Sequence, residues 1–355
     1  MFMHHEVALD FHKTHYWHQL DEGRVCCDLC PHHCTLREGK RGRCYIRMCH
    51  QGEISLVSYG HSSGFAIDPI EKKPLYHFYP GSTVFSFGTA GCNLSCDFCQ
   101  NWSISKSRKI HTLSCSATPE EIVTNAKRYG CQSIAFTYND PVIFMEYAVD
   151  ISQYAQSQGI HSVVVSAGYI CAEPRVELFQ YIDATNIDLK AFTESFYKKH
   201  CHASLLPVLE TLKYLRNETQ VCFEITNLLI PDENDSEQEI DQMCLWIVEN
   251  LGVDIPLHFS AFHPDFKMLN KNNTPFSTLL KARDIAISYG MHYVYCGNVN
   301  NVETNSTYCS NCQQRLITRN NFYLGESQLT DQKRARLRSR TNYLMFLNRL
   351  SDCVL

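Results

Sequence analysis

Short apolar runs alternate with amphipathic segments from Thr83 to Val299. The runs at 83–88, 133–138, 162–166, 184–188, 221–229, 256–262 and 293–295 have the length and the β-branched or aromatic content of buried strands. Helical patterns fill the gaps, and three carry start signals. Thr118-Pro119-Glu120-Glu121 combines an N-cap, a first-turn proline and a capping-box Glu, and Ser236-Glu237-Gln238-Glu239 offers a second box. Thr274-Pro275 repeats the cap-then-proline start. Strands alternating with helices predict a parallel sheet joined by right-handed crossovers. The expected fold is α/β, a partial (β/α)6-type TIM-like barrel. A doubly wound open sheet is the alternative, but its Gly-rich dinucleotide fingerprint is missing after the first run.

Outside this span the pattern changes. Residues 1–80 lack sustained periodicity and read as a Cys/His-rich N-terminal metal-binding extension; 81–300 form the barrel; 301–355 hold a Cys-x-x-Cys element and a basic helical tail. The net charge of −5 does not supply the positive field that broad nucleic-acid or anionic-membrane binding uses. No apolar run approaches the roughly 18 residues of a membrane span. The N-terminus shows no apolar signal core, so a cytoplasmic location is expected.

The 19 cysteines then stand out. Disulfides are rare in reducing cytosol, so metal ligation or thiol chemistry is the expectation. Cys92, Cys96 and Cys99 follow the first strand, where barrel loops build the active face. Three thiolates hold three irons of a 4Fe–4S cluster and leave the fourth open. A structural zinc takes four ligands instead. Cys27, Cys30, Cys34 and Cys44 form a second set, with Gly39 and Gly42 allowing tight turns. Four thiolates suit a second 4Fe–4S cluster or a zinc ion. Cys26, His32 and His33 are competing ligands there, and Cys49 reads as a bystander.

The stretches DPIEKKPLYHFYPG, FGTAGCNLSCDFCQNW, TYND, IDLKAF, LLIPDENDS, HFSAFHPD and YCGNV carry a resemblance over about residues 20–318. The cysteine triplet resembles the signature of the radical S-adenosylmethionine (SAM) superfamily. The surrounding text is similar to the radical SAM enzyme of the AmmeMemoRadiSam system, a group described as similar to pyruvate formate-lyase activating enzyme. The resemblance implies that SAM chelates the open iron and that one electron cleaves it to methionine and a 5′-deoxyadenosyl radical. That radical would abstract hydrogen from a protein or small-molecule substrate. Glycyl-radical-enzyme activation is one alternative, and a non-catalytic iron–sulfur or zinc scaffold is another. The implied partners are a low-potential electron donor of flavodoxin or ferredoxin type and Memo-like or AMMECR-like proteins.

No catalytic residue is assigned beyond the cluster. The expected SAM contacts are Asn139, Asp140, Ser166, Asp188, Lys190, His263 and Asn298, at or near strand ends, and Glu224, along the fifth strand and facing the lumen. Lys190 is expected to pair with the SAM carboxylate, and Asp188 to hold Lys190, SAM polar groups or a monovalent cation; an ion pair closing the barrel rim is the alternative. At 138–141 only Asp140-Pro141 matches the acidic-then-proline ending of the superfamily's SAM-amine turn, and Ala167 stands where the similar group usually has Asn. Thr226 shares the Glu224 face of its strand. Cys309 and Cys312 look like half a zinc ribbon whose second Cys-x2-Cys is missing. Cys353, with Cys296 as a fourth ligand, is the remaining way to complete a zinc site. Lys333, Arg334, Arg336, Arg338 and Arg340 read as a solvated helix face, with docking to an acidic partner or RNA as the alternative.

Overall fold

The computed structural model describes residues 11–108 and 115–328. Seven parallel strands form the centre: β1 (Thr83–Gly88), β2 (Ser133–Phe136), β3 (His161–Ser166), β4 (Ala184–Asp188), β5 (Cys222–Leu229), β6 (Leu257–Ala261) and β7 (Val294–Gly297). Each pairs with its neighbour in sequence, in the order β7-β6-β5-β4-β3-β2-β1. A doubly wound sheet would reverse direction at a switch point. This monotonic order is that of a barrel, here with seven strands rather than six. The barrel is open, because the antiparallel strand His61–Pro69 lies beside β1 instead of β7.

Six helices cross between the strands: α1 (Pro119–Arg128), α2 (Met145–Ser157), α3 (Ala172–Gln180), α4 (Leu206–Glu218), α5 (Glu237–Asn250) and α6 (Phe276–Ser288). The α1 capping box forms as expected: Thr118 Oγ1 accepts from Glu121 N, and Glu121 accepts from Thr118 N at 2.8 Å. At α5 the box is half made. Ser236 caps Glu239 N, but the Glu239 carboxylate accepts from Phe192 N at 2.6 Å. Thr274 is not a cap. Its hydroxyl accepts from Phe262 N and donates to Leu229 O, tying the loop to β5, and α6 starts after Pro275 with no side-chain cap.

Side chains alternate across the barrel wall with the period of 2. Phe87, Phe136, Ile225 and Phe259 point outward into a core shared with the helices. Val84, Ala135, Val163, Ala184 and Cys222, at the strand starts, point inward and meet Ile70, Leu75, Tyr76 and Phe78. The segment after His61–Pro69 is therefore a plug in the lower barrel. Its backbone is anchored there: Asn186 Nδ2 donates to Pro74 O at 2.8 Å, and His77 N donates to Glu224 Oε1 at 2.8 Å.

His77 also meets the Tyr295 hydroxyl at 2.6 Å. Burial pulls its imidazole down to about 4; Arg319 and His258 act in the same sense and Glu224 opposes them. An unfolded histidine titrates near 6.5. Between these values the unfolded chain binds a proton that the folded chain refuses. Stability from this site is thus full above about pH 6.5 and falls as the pH drops toward about 4. Urea midpoints of the metal-free chain should decline through that window, and His77→Gln should flatten the slope. Parallel profiles for both chains would refute the assignment.

The N-terminal residues build two small antiparallel sheets, one from Trp17–Gln19, Val25–Cys27 and Thr35–Leu36, the other from His12–Lys13, Arg47–His50 and Glu53–Leu56. Val25, Leu29, Ile46 and Leu56 belong to the same continuous core as Phe87 and Tyr147. Arg47 penetrates furthest: its guanidinium forks onto both oxygens of Glu146 on α2 and donates to Ile143 O at 3.1 Å. At the other end, Thr307–Tyr308, Arg315–Asn320 and Tyr323–Ser327 form a third sheet. It delivers Arg319, fully buried, against Glu71, Thr307 and the Tyr76 carbonyl. The basic tail and Cys353 lie outside the described residues. Among the described residues no helix is long and apolar enough to cross a membrane.

Candidate active site

The loop after β1 is forced into its path by two glycines. A Cβ on Gly88 would lie 2.4 Å from Thr137 O, and Gly91 has φ +89 with a Cβ position 2.1 Å from Cys44 O. Only glycine fits such approaches. Asn139 braces the same loop: its amide accepts from Thr89 N and donates to Thr89 Oγ1 and Gly91 O. Cys92, Cys96 and Cys99 then face one cavity of 370 Å³ at the strand ends.

A second element clamps the loop from the far side. Tyr197–Cys201 is a single wide turn of π-helix ending in left-handed His202. Cys201 O accepts from Ser95 N at 3.0 Å and His200 O accepts from Asp97 N at 2.9 Å. His200 is held in turn by Glu233 at 2.8 Å. Burial alone would raise the Glu233 carboxyl, but Lys271, Lys199 and His200 hold it down to about 2. The Cys201 thiol meets Cys96, and this hydrogen bond holds Cys96 below the usual thiol range against burial. Cys92 is pushed the other way, up to about 12, by burial and by Asp140.

Asp188, Lys190, Asn139, Asp140 and Asn298 line the cavity with the triplet. Lys190 Nζ pairs with Asp188 at 2.6 Å. Burial pulls its ammonium down, but Asp188 and Cys96 outweigh this and the net shift is upward. The charge is therefore retained and available to a carboxylate. Asp140 accepts from Ser166 Oγ at 2.8 Å and from Val142 N and Ala167 N. Burial raises its carboxyl despite these bonds.

Three expected contacts stand elsewhere. Glu224 is not on the cavity wall. It lies one layer lower, its oxygens taken by His77 N and by His258 Nε2 at 2.7 Å. It faces the lumen as its alternation requires, but the plug separates it from the cavity. Ser166 sits behind Asp140 and acts through it. His263 bonds Gln100 at 3.1 Å and lines a neighbouring space of 610 Å³ instead. That space is rich in amides, with Gln100, Asn273, Asn298, Asn305 and Asn321 on its walls, and it shares Gln100 and Asn298 with the first cavity.

The cavity also has walls beyond the eight expected contacts. Lys72, Lys73 and Pro74 reach it from the plug. Lys73 is held by Asp68 at 2.7 Å. Tyr138 contributes from a left-handed backbone, φ 70. Ser260 lies on β6, and Thr226 on β5 places a buried hydroxyl without a hydrogen-bond partner at the wall. Cys201 has no spacing motif that would have marked it. At the C-terminal element, Cys309 is buried and Cys312 exposed. Cys296 is buried in the barrel wall and donates to Leu279 O.

The donor set fits an iron–sulfur cluster with a chelating ligand: three convergent thiols, a buried ammonium and an open polar wall. The family model agrees. Residues 87–244 match the radical SAM superfamily. Uncharacterized protein MJ0808 of Methanocaldococcus jannaschii is 44% identical over 304 residues, covering 86% of this chain and 90% of its own. Pyruvate formate-lyase-activating enzyme of Clostridium pasteurianum is 23% identical over 170 residues, 45% of this chain and 67% of its own. A radical SAM methyltransferase from Sphaerobacter thermophilus superposes with a TM-score of 0.49 at 14% identity, covering 67% of this chain and 71% of that one. The chain belongs to the radical SAM superfamily. It is an enzyme of that superfamily, with a 4Fe–4S cluster and SAM as its cofactors.

Proposed function

We propose that this enzyme cleaves SAM at the cluster held by Cys92, Cys96 and Cys99 and abstracts hydrogen from a polar substrate bound in the adjoining amide-lined space. The observation that carries this is the convergence of the triplet with Asp188, Lys190 and Thr226 on one cavity. When bound, the cofactor pair supplies one electron and a 5′-deoxyadenosyl radical. The chain's own residues orient and enclose it. Lys190 offers its ammonium to the SAM carboxylate, and Asp188 fixes the direction of that ammonium. Thr226 Oγ1 offers a hydrogen bond that nothing in the protein uses. Asn139 keeps the cysteine loop closed. Plug and barrel wall keep water from below.

The 610 Å³ space suits a substrate presenting amides or hydroxyls, a peptide segment or a polar small molecule. A low-potential donor of flavodoxin or ferredoxin type supplies the electron. Glycyl-radical activation is a second reading, favoured by the likeness to the pyruvate formate-lyase-activating enzyme. A glycine-centred EPR signal on a partner chain would support it. Partnership with Memo-like and AMMECR-like proteins is a third element of the proposal, to be tested by co-purification.

Anaerobically reconstituted protein is expected to form 5′-deoxyadenosine from SAM under reductant. Lys190→Met should raise the KM for SAM by about 10- to 100-fold, the loss of one charge-assisted hydrogen bond. Intact SAM beside a full cluster would favour the non-catalytic scaffold.

A further inference from the structure

Four cysteines outside the barrel meet in one place. Cys27 ends the strand Val25–Cys27, Cys30 and Cys34 lie on the loop that follows, and Cys44 precedes the strand Arg47–His50. All six pairs among these thiols act on one another electrostatically. Cys27, Cys30 and Cys44 are buried, and Cys34 is partly exposed.

The competing ligands are engaged elsewhere. Cys26 alternates with Cys27 on the strand and points away, toward His18 and Asp28. His32 Nε2 bonds Asn93 O at 2.8 Å. His33 Nδ1 faces Asp28 at 3.5 Å.

The separation of the sulfurs discriminates between metals. Zinc–sulfur bonds of about 2.3 Å in a tetrahedron bring the thiolates within about 3.8 Å of one another. Among the described residues, the one group of His, Cys, Asp or Glu ligand atoms lying mutually within 4.8 Å is His18, Cys26 and Asp28. No three of the four sulfurs are therefore that close, and neither are those of Cys92, Cys96 and Cys99. A cubane spreads its thiolates over separate irons and takes such a spacing.

We infer that Cys27, Cys30, Cys34 and Cys44 hold a second 4Fe–4S cluster that relays electrons to the cluster on Cys92, Cys96 and Cys99. With four protein thiolates, each of its irons is capped and no corner is left for a substrate. Its surroundings suit electron transfer instead. The backbone of Gly91, one residue before Cys92, presses on the carbonyl of Cys44, an approach that a Cβ would block at 2.1 Å. The His32–Asn93 hydrogen bond makes a second bridge between the two cysteine loops. The buried Arg47 guanidinium acts on Cys27 and Cys44 and offsets the negative charge of the thiolates.

Cys34 is the solvent edge and Cys44 the inner edge. One electron enters at Cys34 from a low-potential one-electron donor and reduces the second cluster. The same electron leaves past Cys44, which reoxidises that cluster, and no atom is transferred. The relay rests on the radical SAM reading of the triplet; the presence of the second cluster does not.

Anaerobic reconstitution of the full chain with iron and sulfide is expected to yield about eight irons and about eight sulfides per chain. The variant Cys92→Ala/Cys96→Ala/Cys99→Ala should keep about four of each, on an intact N-terminal set. The variant Cys27→Ala/Cys30→Ala should fall to about four and remain responsive to SAM by EPR. A total of only about four irons in the unaltered chain, or an iron-free triplet variant, overturns the second cluster. These counts do not depend on SAM cleavage, so failure here is separable from failure of the proposed function. For the relay, the fully reduced chain should show an EPR spectrum broadened by coupling between two spins, absent from both variants. A spectrum equal to the sum of the two variants overturns it.

Discussion

Replacing Cys92 by alanine is expected to lower 5′-deoxyadenosine formation at least about a thousandfold, some ~4 kcal/mol of barrier. Cys92 opens the loop that carries the triplet, and its neighbour Gly91 fixes that loop's position against Cys44. Without it, two thiols remain on the loop, too few to hold three irons. Cys201 makes the comparison informative. It touches Cys96, yet it sits on the clamping turn and not on the loop. Cys201→Ala should leave the cluster in place and cleavage within about tenfold, because it removes a hydrogen bond and not a ligand. The readout is 5′-deoxyadenosine per iron, by chromatography after a fixed anaerobic incubation. Undiminished cleavage by the Cys92 variant would remove the triplet from the mechanism.

Glu146→Ala is expected to cost about 3–5 kcal/mol of stability, the penalty for leaving a buried charge without its partner. The Arg47 and Glu146 side chains are 1% and 7% exposed. Arginine cannot shed its proton to escape. The pair also joins the N-terminal sheets to α2, so its loss loosens the platform beneath Cys27 and Cys44. Urea unfolding followed by circular dichroism measures the effect. The double variant Arg47→Met/Glu146→Leu should recover most of it, since apolar side chains of similar volume replace buried ion pairs well. A loss below about 1 kcal/mol in the single variant would place this pair with surface salt bridges.

The barrel was legible because its evidence is local. Each strand is a short apolar run, and two of the three expected helix caps are made by the residues that announce them. Thr274 misled because tertiary partners competed for the same hydroxyl: Phe262 N and Leu229 O use it, and α6 starts one residue later without a side-chain cap. The triplet was legible for the same local reason, three thiols on one loop. Asp188 and Lys190 share one strand end, so their joint presence at the cavity was also readable. Glu224 shows where the reading stops. Alternation says that it faces the lumen, but its height depends on the register with β6 and on the plug from 70–79. Neither can be read from β5. Cys201 was invisible for a related reason. Its place beside Cys96 is set by the packing of a π-helical turn, and no spacing in the chain encodes that. DPIEKKPLYHFYPG stood out as text, but its role as a barrel plug emerges only from contacts with strands far along the chain.

The buried Arg319 has a consequence for traffic through the enzyme. Its guanidinium, with Glu71 and the plug beneath Tyr76, stops the lower end of the barrel like a cork held by an ion pair. The cavity at the strand ends is bounded on the plug side by Lys72, Lys73 and Pro74. It adjoins the amide-lined outer space at Gln100 and Asn298, which belong to the walls of both. A ligand seated in the outer space would therefore narrow the way out of the inner one.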